Sequence, residues 1–468
     1  MTNQGWAIEA LSDTRPAAFW PHQPGAPEEG DPLRGNSTAD LVVIGGGLTG
    51  LWTAIQALED EPNSRVVVLE AEVCGFGAST RNGGFCDSSL THGLFNGLSH
   101  WPDEMPTLTR LGRDNLDGIE ATLKRHNIDA DFHRRGEISV ATEQWQVDEL
   151  AEGAVEFERA GDNFELLDST GVRALVDSPT YLGGLVLRRD SALVDPAKLV
   201  WGLRSAAEDM GATIHDRSKV TGIASEGNSL VVSTIAGSVT ADRVIVATNA
   251  YDPPVRRIRR HVIPVYDHVL MTEPLSSDQM KSIGWSGREG VGDASNQFHY
   301  YRLSADDRIL WGGYDASYHF NNGVDPKFEN SVAIHKMLSE HFFTTFPQLE
   351  GLRFTHRWAG PIATTSRFTA TWGTSFQGRL AWAVGYTGLG VGASRFGARV
   401  ALDLVHGRST ERTQLEMVRK KPFPFPPEPL RWGAVAVTRR AIQNADANQG
   451  KRGPWLKLLD RFGVGFDS

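Results

Sequence analysis

One stretch, Asp40 to Glu70, restricts what this chain can fold into more than any other. Asp40-Leu-Val-Val-Ile44 is a short apolar run rich in β-branched residues, the pattern of a strand buried on both faces. It passes directly into Gly45-Gly46-Gly47-Leu48-Thr49-Gly50, then into a helical pattern with Leu48, Leu51, Ile55 and Leu58 on one side. A second buried strand, Val66-Val-Val-Leu69, ends at Glu70. Strand, G-x-G-x-x-G, helix, strand and acid in this order make the full dinucleotide fingerprint. Gly45 permits the tight turn, Gly47 lets the backbone approach a pyrophosphate, and Gly50 brings helix and strand together. Leu48 and Thr49 open a helix whose free N–H groups face the phosphates, and Glu70 would accept hydrogen bonds from a ribose hydroxyl pair.

The segment after Glu70 narrows the dinucleotide. Cys74-Gly-Phe-Gly77-Ala-Ser79-Thr-Arg81-Asn82-Gly83-Gly84 is a second glycine-rich loop. A nicotinamide dehydrogenase has no use for one here, whereas the longer FAD must thread between such a loop and the first helix. Ser79 belongs to this cofactor loop, Arg81 and Asn82 offer donors to pyrophosphate or flavin ring, and Gly83 and Gly84 permit close backbone approach. A third stretch, Trp382-Ala-Val-Gly385-Tyr-Thr-Gly388-Leu-Gly390-Val391-Gly392, ends a strand and opens a helix that stops before Gly407. Thirteen of the chain's 49 glycines fall in Gly45–Gly50, Gly75–Gly84 and Gly385–Gly397, so the glycine excess outlines a cofactor.

Composition removes several other classes. The 468 residues carry a net charge of −10, which gives no general attraction for phosphate backbones or anionic lipid, so no nucleic-acid partner is expected. No run of apolar residues is long enough to span a membrane. The proline-punctuated start lacks the basic and apolar segments of a secretory signal. Only two cysteines, Cys74 and Cys86, are present, too few for a disulfide framework, and a reducing, cytoplasmic compartment is expected. There is no metal-ligand spacing and no Ser-His-Asp or Cys-His nucleophile pattern.

The pairing of Gly45–Gly50 with Gly77-Ala-Ser-Thr-Arg-Asn-Gly-Gly84 resembles the FAD-dependent amine and D-amino-acid oxidase (DAO) family, above all its γ-glutamylputrescine-oxidase-like branch. Further landmarks come in the family's order. Val194-Asp195-Pro196 precedes a helix, with Asp195 as N-cap. Val220 then leads into a hairpin (Leu230–Ile235 and Ser238–Thr240) and a separate strand, Arg243–Ala247, ending at Thr248. Val262-Ile-Pro264, Tyr300-Tyr-Arg302 and Trp311-Gly-Gly313 resemble strands of the substrate domain. The resemblance implies that Val220 lies near the adenine and that Ala247 and Thr248 lie against the cofactor. It also implies that the helix opening at Gly388, Gly390 and Val391 points at the flavin.

The expected fold is α/β and α+β: a discontinuous Rossmann-like FAD-binding domain of the glutathione-reductase-like, DAO type, joined to an antiparallel-sheet substrate domain. The FAD domain would use residues 36–95, 190–252 and 356–408, and the substrate domain residues 96–189 and 253–355. Residues 1–35 would be an N-terminal extension, and residues 409–468 a proline-rich arm and helix packed across the outside.

By resemblance the reaction is hydride transfer from the carbon beside an amine nitrogen to flavin N5, with the imine then hydrolysed. The substrate would be a small amine, polyamine derivative or amino acid. Tyr300, Tyr301, Arg357, Trp358 and His92 are the candidate catalytic and substrate-wall residues, with His299 beside them. An arginine such as Arg357 could hold a substrate carboxylate. Sarcosine-oxidase-like relatives carry a lysine on a substrate-domain strand, but Arg302–Tyr314 has none and places Leu310 and Trp311 there. The electron acceptor is therefore oxygen or, in a dehydrogenase, another carrier. Sarcosine-type oxidases also tether FAD through a C-terminal cysteine, and both cysteines here precede residue 90, so FAD is expected to be non-covalent. A pyridine-nucleotide reductase would need a second G-x-G-x-x-G, which the chain lacks, and a non-catalytic flavin-binding protein is the remaining alternative.

Overall fold

The computed structural model describes residues 3–464; the outermost ends of the expected N-terminal extension and C-terminal arm lie outside the described residues. The chain builds two large sheets. The first has a parallel centre in which Leu380–Val384, Gly237–Val246, Gly35–Ile44, Val66–Leu69 and Thr213–His215 lie side by side. Val66–Leu69 is buried throughout, as its unbroken β-branched run requires. One face packs Leu41, Val43 and Val68 against Leu51, Ile55 and Leu58 of the Leu48–Asp60 helix, together with Leu199 and Leu203 of Pro196–Asp209 and Val400 of Gly390–Val405. The other face buries Val42, Ile44, Val67 and Leu69 against Leu230, Val232 and Val239 of the Gly222–Glu226, Ser229–Ser233 and Gly237–Val246 ribbon.

The hairpin strand and the separate strand expected over Ser238–Ala247 are one strand, Gly237–Val246. Its first half pairs with Ser229–Ser233 and its second half with Leu380–Val384, so a single long strand joins the outer ribbon to the sheet's centre. Asp195 caps its helix as expected, accepting from Ala197 N at 2.9 Å and Lys198 N at 3.0 Å, with Pro196 in the first turn.

The second sheet runs in the order Arg15–Pro16, Phe354–Thr364, Ile263–Thr272, Ile309–Gly313, His299–Leu303, Gly290–Asp293, Glu137–Ala141, Gly183–Leu187, Phe164–Asp168. Most neighbours are antiparallel, but Gly290–Asp293 runs parallel to Glu137–Ala141 and Arg15–Pro16 parallel to Phe354–Thr364. Beneath it, Phe342, Phe343 and Phe346, in and just after the Val332–Thr345 helix, pack on Tyr301, Trp311 and Leu270.

Three segments sit elsewhere than their sequence position suggests. Phe354–Thr364, whose 356–364 portion falls within the expected cofactor segments, pairs along its whole length with Ile263–Thr272 of the second sheet. The Met105–Arg125 helix, expected among the substrate segments, buries Leu108, Leu116 and Ile119 in the first sheet's core. The N-terminal segment is built into the body: Ala7 and Trp20 are fully buried, and Trp20 Nε1 donates to Asn82 O at 3.0 Å. Among the described residues, no helix is long and apolar enough to cross a membrane.

Candidate active site

At the C-terminal edge of the parallel strands the backbone turns within very little space. Gly45 has φ +110°, and a Cβ there would stand 2.6 Å from Ala247 O. A Cβ at Gly50 would stand 1.9 Å from Gly45 O, so the Leu48–Asp60 helix can start against the turn only if that residue is glycine. Glu70 accepts from Gly46 N at 2.6 Å and from Glu72 N at 3.0 Å. Burial pushes the pKa of this carboxyl up, and those two N–H groups oppose the shift. Ser79 Oγ accepts from Leu48 N at 3.0 Å, tying the second glycine-rich loop to the helix start.

The donors expected from that loop are committed to protein partners. Asn82 donates to Ala78 O and Ser79 O at 2.9 and 3.0 Å and accepts from Gly84 N at 2.8 Å, so its side chain shapes its own loop. Arg81 is ion-paired with Glu329 and donates to Phe76 O at 3.0 Å. The loop carbonyls are held in turn, since Trp358 Nε1 donates to Arg81 O at 2.9 Å.

A single cavity of about 1040 Å³ runs past these elements. At one end it is lined by Gly47, Leu48, Thr49, Ser79, Arg81, Asn82, Gly83, Ala247, Gly388, Gly390 and Val391. Gly45, Gly50, Gly84, Glu70, Val220 and Thr248 do not line it; they shape the turns and strands behind. Val220 packs against the second apolar cluster of the parallel sheet, and Thr248 Oγ1 is buried with no hydrogen-bond partner among the described residues. Two helix N-termini, at Leu48 and Gly390, border this end and favour negative charge in it. Glycine turns that a Cβ would fill, an orphaned buried hydroxyl and two helix starts fit a dinucleotide diphosphate such as FAD.

The opposite wall is one face of the second sheet. Strand side chains alternate, so register decides which reach the cavity. Tyr300 does: it pairs with Gly292 on one side and Gly312 on the other. Its ring lies between Gly312 and Gly83, where added Cβ atoms would stand 2.6 and 2.7 Å away. Its hydroxyl donates to Asp267, which also lines the cavity. Burial pushes Asp267 up to about 6 against the pull of that hydrogen bond, and holds the Tyr300 phenol well above its ordinary value. His92 lines the cavity as well, with its pKa lowered by burial and its ring edge-on to Phe368 at 5.8 Å.

The other wall candidates do not reach the cavity. Tyr301 points to the opposite face by alternation, bonding the Tyr181 hydroxyl and stacking on Trp311 at 4.5 Å. His299 shares that face, with Nδ1 2.6 Å from Asp293 Oδ2. Arg357 also lies on the far side, donating to Asn330 Oδ1 at 2.8 Å. Trp358 has the parity of the cavity-lining Gly360 and Ile362, but it sits past the cavity's end among Trp20, Val269 and Leu310.

The sequence profile of the DAO family, described as FAD dependent oxidoreductase, matches residues 40–404. The chain belongs to this family of FAD-dependent oxidoreductases. Gamma-glutamylputrescine oxidoreductase of Escherichia coli (strain K12) is 33% identical over 403 residues, covering 84% of this chain and 90% of that protein. The OrdL oxidoreductase of Haemophilus influenzae is 30% identical, covering 80% and 85%. The crystal structure of glycine oxidase from Geobacillus kaustophilus superposes with a TM-score of 0.65 at 20% identity, covering 80% of this chain and 96% of that one.

The family match stops at residue 404, yet later residues also border the cavity. Phe423, Pro424, Phe425 and Pro426 of the proline-rich arm line it, as do Ala434 and Thr438 of the Leu430–Asp446 helix. The arm is therefore a cavity wall rather than an external strap. It is fastened by Phe425 N to Arg260 O at 2.8 Å and by Arg439 to Asp315. Asn249, Asp267 and Glu137 also line the cavity and carry no mark in the sequence that singles them out as site residues. Asn249 comes directly after Thr248 and could be taken with it; the two acids belong to no motif and are brought in by strand register.

Proposed function

We propose that this DAO-family protein oxidises the carbon–nitrogen bond of an amine or amino acid. FAD held at the Gly47–Thr49 and Gly388–Val391 helix starts would supply the hydride acceptor for the carbon bearing the nitrogen, and water would hydrolyse the resulting imine. The observation that carries this reading is continuity. One cavity is lined both by the Gly47–Thr49 and Gly388–Val391 helix starts and by Tyr300 and Asp267 of the second sheet. The protein's part is to orient the substrate and exclude water. Tyr300, kept neutral by burial, offers a hydroxyl fixed by Asp267. His92 offers an uncharged imidazole, and the arm's Phe423 and Phe425 close the apolar side.

FAD is held non-covalently in this reading, since neither Cys74 nor Cys86 lines the cavity. Both are buried thiols, which supports a cytoplasmic setting. The electron acceptor is oxygen or, in a dehydrogenase, another carrier. What supports the second form is that no lysine lines the cavity among the described residues.

Anaerobic mixing of the FAD-loaded protein with a panel of amines and amino acids should bleach the flavin absorbance with at least one of them. Bleaching by none would sink the reading. Reoxidation timed with air and with quinones then separates oxidase from dehydrogenase, and the second form predicts faster return with quinone.

A further inference from the structure

The cavity lining continues from Tyr300 to Gly292 and then to Glu137 and Ser139 on the neighbouring strand. Gly292 leaves a gap: a Cβ there would stand 3.9 Å from Glu137 Oε1 and meet no side chain closer. The carboxylate of Glu137 faces this gap. It is enclosed by the protein, lines the cavity, and has neither a hydrogen bond nor an ion pair among the described residues. Its charged neighbour is another acid, Asp87, which lines the same cavity and accepts a hydrogen bond from Ser191 Oγ.

The cavity's positive charges are all committed. Arg81 pairs with Glu329, Arg113 with Asp162 and Asp190, Arg439 with Asp315 and Arg452 with Asp460. Arg431 donates to Asn322 Oδ1 at 2.6 Å and Pro426 O at 2.9 Å. Among the described residues a substrate carboxylate therefore meets no uncommitted guanidinium, while a substrate cation meets an unpartnered carboxyl group.

We infer that the substrate is an amine with a second, remote ammonium group, and that Glu137, backed by Asp87, binds this second cation across the Gly292 gap. The inference rests on the amine-oxidising reading above and names its substrate class. The electrostatics agree: burial, reinforced by Asp87, raises the pKa of Glu137, the mark of a buried acid lacking its counter-charge. An ammonium would reverse that shift with charge-assisted hydrogen bonds.

The test uses FAD-loaded protein and three probes of equal chain length: diaminobutane, butylamine and aminobutanoate. Flavin reduction should favour diaminobutane over butylamine by about 10- to 100-fold in kcat/KM, the worth of a hydrogen-bonded charge. Aminobutanoate should be poorest. Glu137→Gln should bring the diamine-to-monoamine ratio close to unity, and Glu137→Asp should keep part of it; flavin content and Tm establish that both variants fold. Calorimetry gives a readout independent of turnover. Diaminobutane binding to the wild type should release protons, seen as a dependence of its heat on buffer, and Glu137→Gln should abolish the release.

Reduction by butylamine or aminobutanoate as fast as by the diamine overturns the inference and leaves amine oxidation standing. So does a ratio that Glu137→Gln leaves unchanged. Diamine binding with proton release but no flavin reduction by any probe would do the reverse, keeping the cation site and removing the oxidation reading.

Discussion

The two ends of the cavity are made by different means. The cofactor end is backbone: three contiguous stretches turn at glycines, expose helix N-termini and spend their side chains on one another, as Ser79 and Asn82 do. The substrate end is side chain: Tyr300, Asp267 and Glu137 come from three strands far apart in sequence and share a face through register alone. A backbone site tolerates loss of side-chain atoms but not their addition, and a side-chain site has the opposite sensitivity.

That contrast can be broken most forcefully at Gly50. Gly50→Val places carbon where only 1.9 Å separates a Cβ from Gly45 O, and the purified protein should carry essentially no FAD. A normal flavin-to-protein absorbance ratio would show that the turn can move and that the backbone account is wrong.

Asp216 is the exception within the cofactor half, a buried side chain doing what backbone does elsewhere. It accepts from Gly30 N at 2.7 Å, Cys74 N at 2.9 Å and Arg204 Nη1 at 3.0 Å, clasping the N-terminal segment to the loop after Glu70. Breaking this buried pair with Asp216→Ala should cost about 3–5 kcal/mol in urea unfolding. A loss under about 1 kcal/mol, the range of exposed pairs, would mean the clasp is incidental.

Smaller effects are expected on the substrate side. Tyr300→Phe removes the hydroxyl that Asp267 accepts while leaving the ring between Gly83 and Gly312. Flavin content should be unchanged and kcat/KM should fall about tenfold, or 1.4 kcal/mol. Loss of FAD instead would merge the two ends into one unit.

The mildest test is pH. Because burial raises Asp267 to about 6, its carboxylate is ionised above that pH and protonated below it. Asp267→Asn mimics the protonated form, so the wild-type advantage over this variant should be largest near pH 8 and shrink towards none near pH 5. Taking the ratio at each pH cancels the substrate's own titration. A ratio that stays flat across this range would remove Asp267 from the working site.

The same difference in construction explains which parts of the site are legible in the sequence. The G-x-G-x-x-G turn, the second glycine loop, the Asp195 N-cap and the Gly390–Val405 helix start all lie in short contiguous runs. Arg81 and Asn82 read as cofactor donors, and their actual partners, Glu329 and the loop's own carbonyls, become visible only in the folded chain. Tyr300 and Tyr301 are adjacent and chemically alike, yet one faces the cavity and the other the aromatic core. Trp358 and Arg357 are likewise suggested by residue type alone, which carries no information on where the cavity ends or which face each occupies.

Local order along the chain is enough to establish the cofactor and its cradle, because a turn, a helix start and a buried strand are each specified within a few residues. The substrate wall depends on which strands become neighbours, in what register, and on the arm after residue 404 folding back along the cavity. Strand order and register arise from burying two sheets' worth of apolar surface at once, a global condition that no short stretch encodes. Glu137 illustrates the consequence: an ordinary acid in an ordinary strand, it becomes a buried carboxyl without a partner among the described residues only once the strands have paired around it.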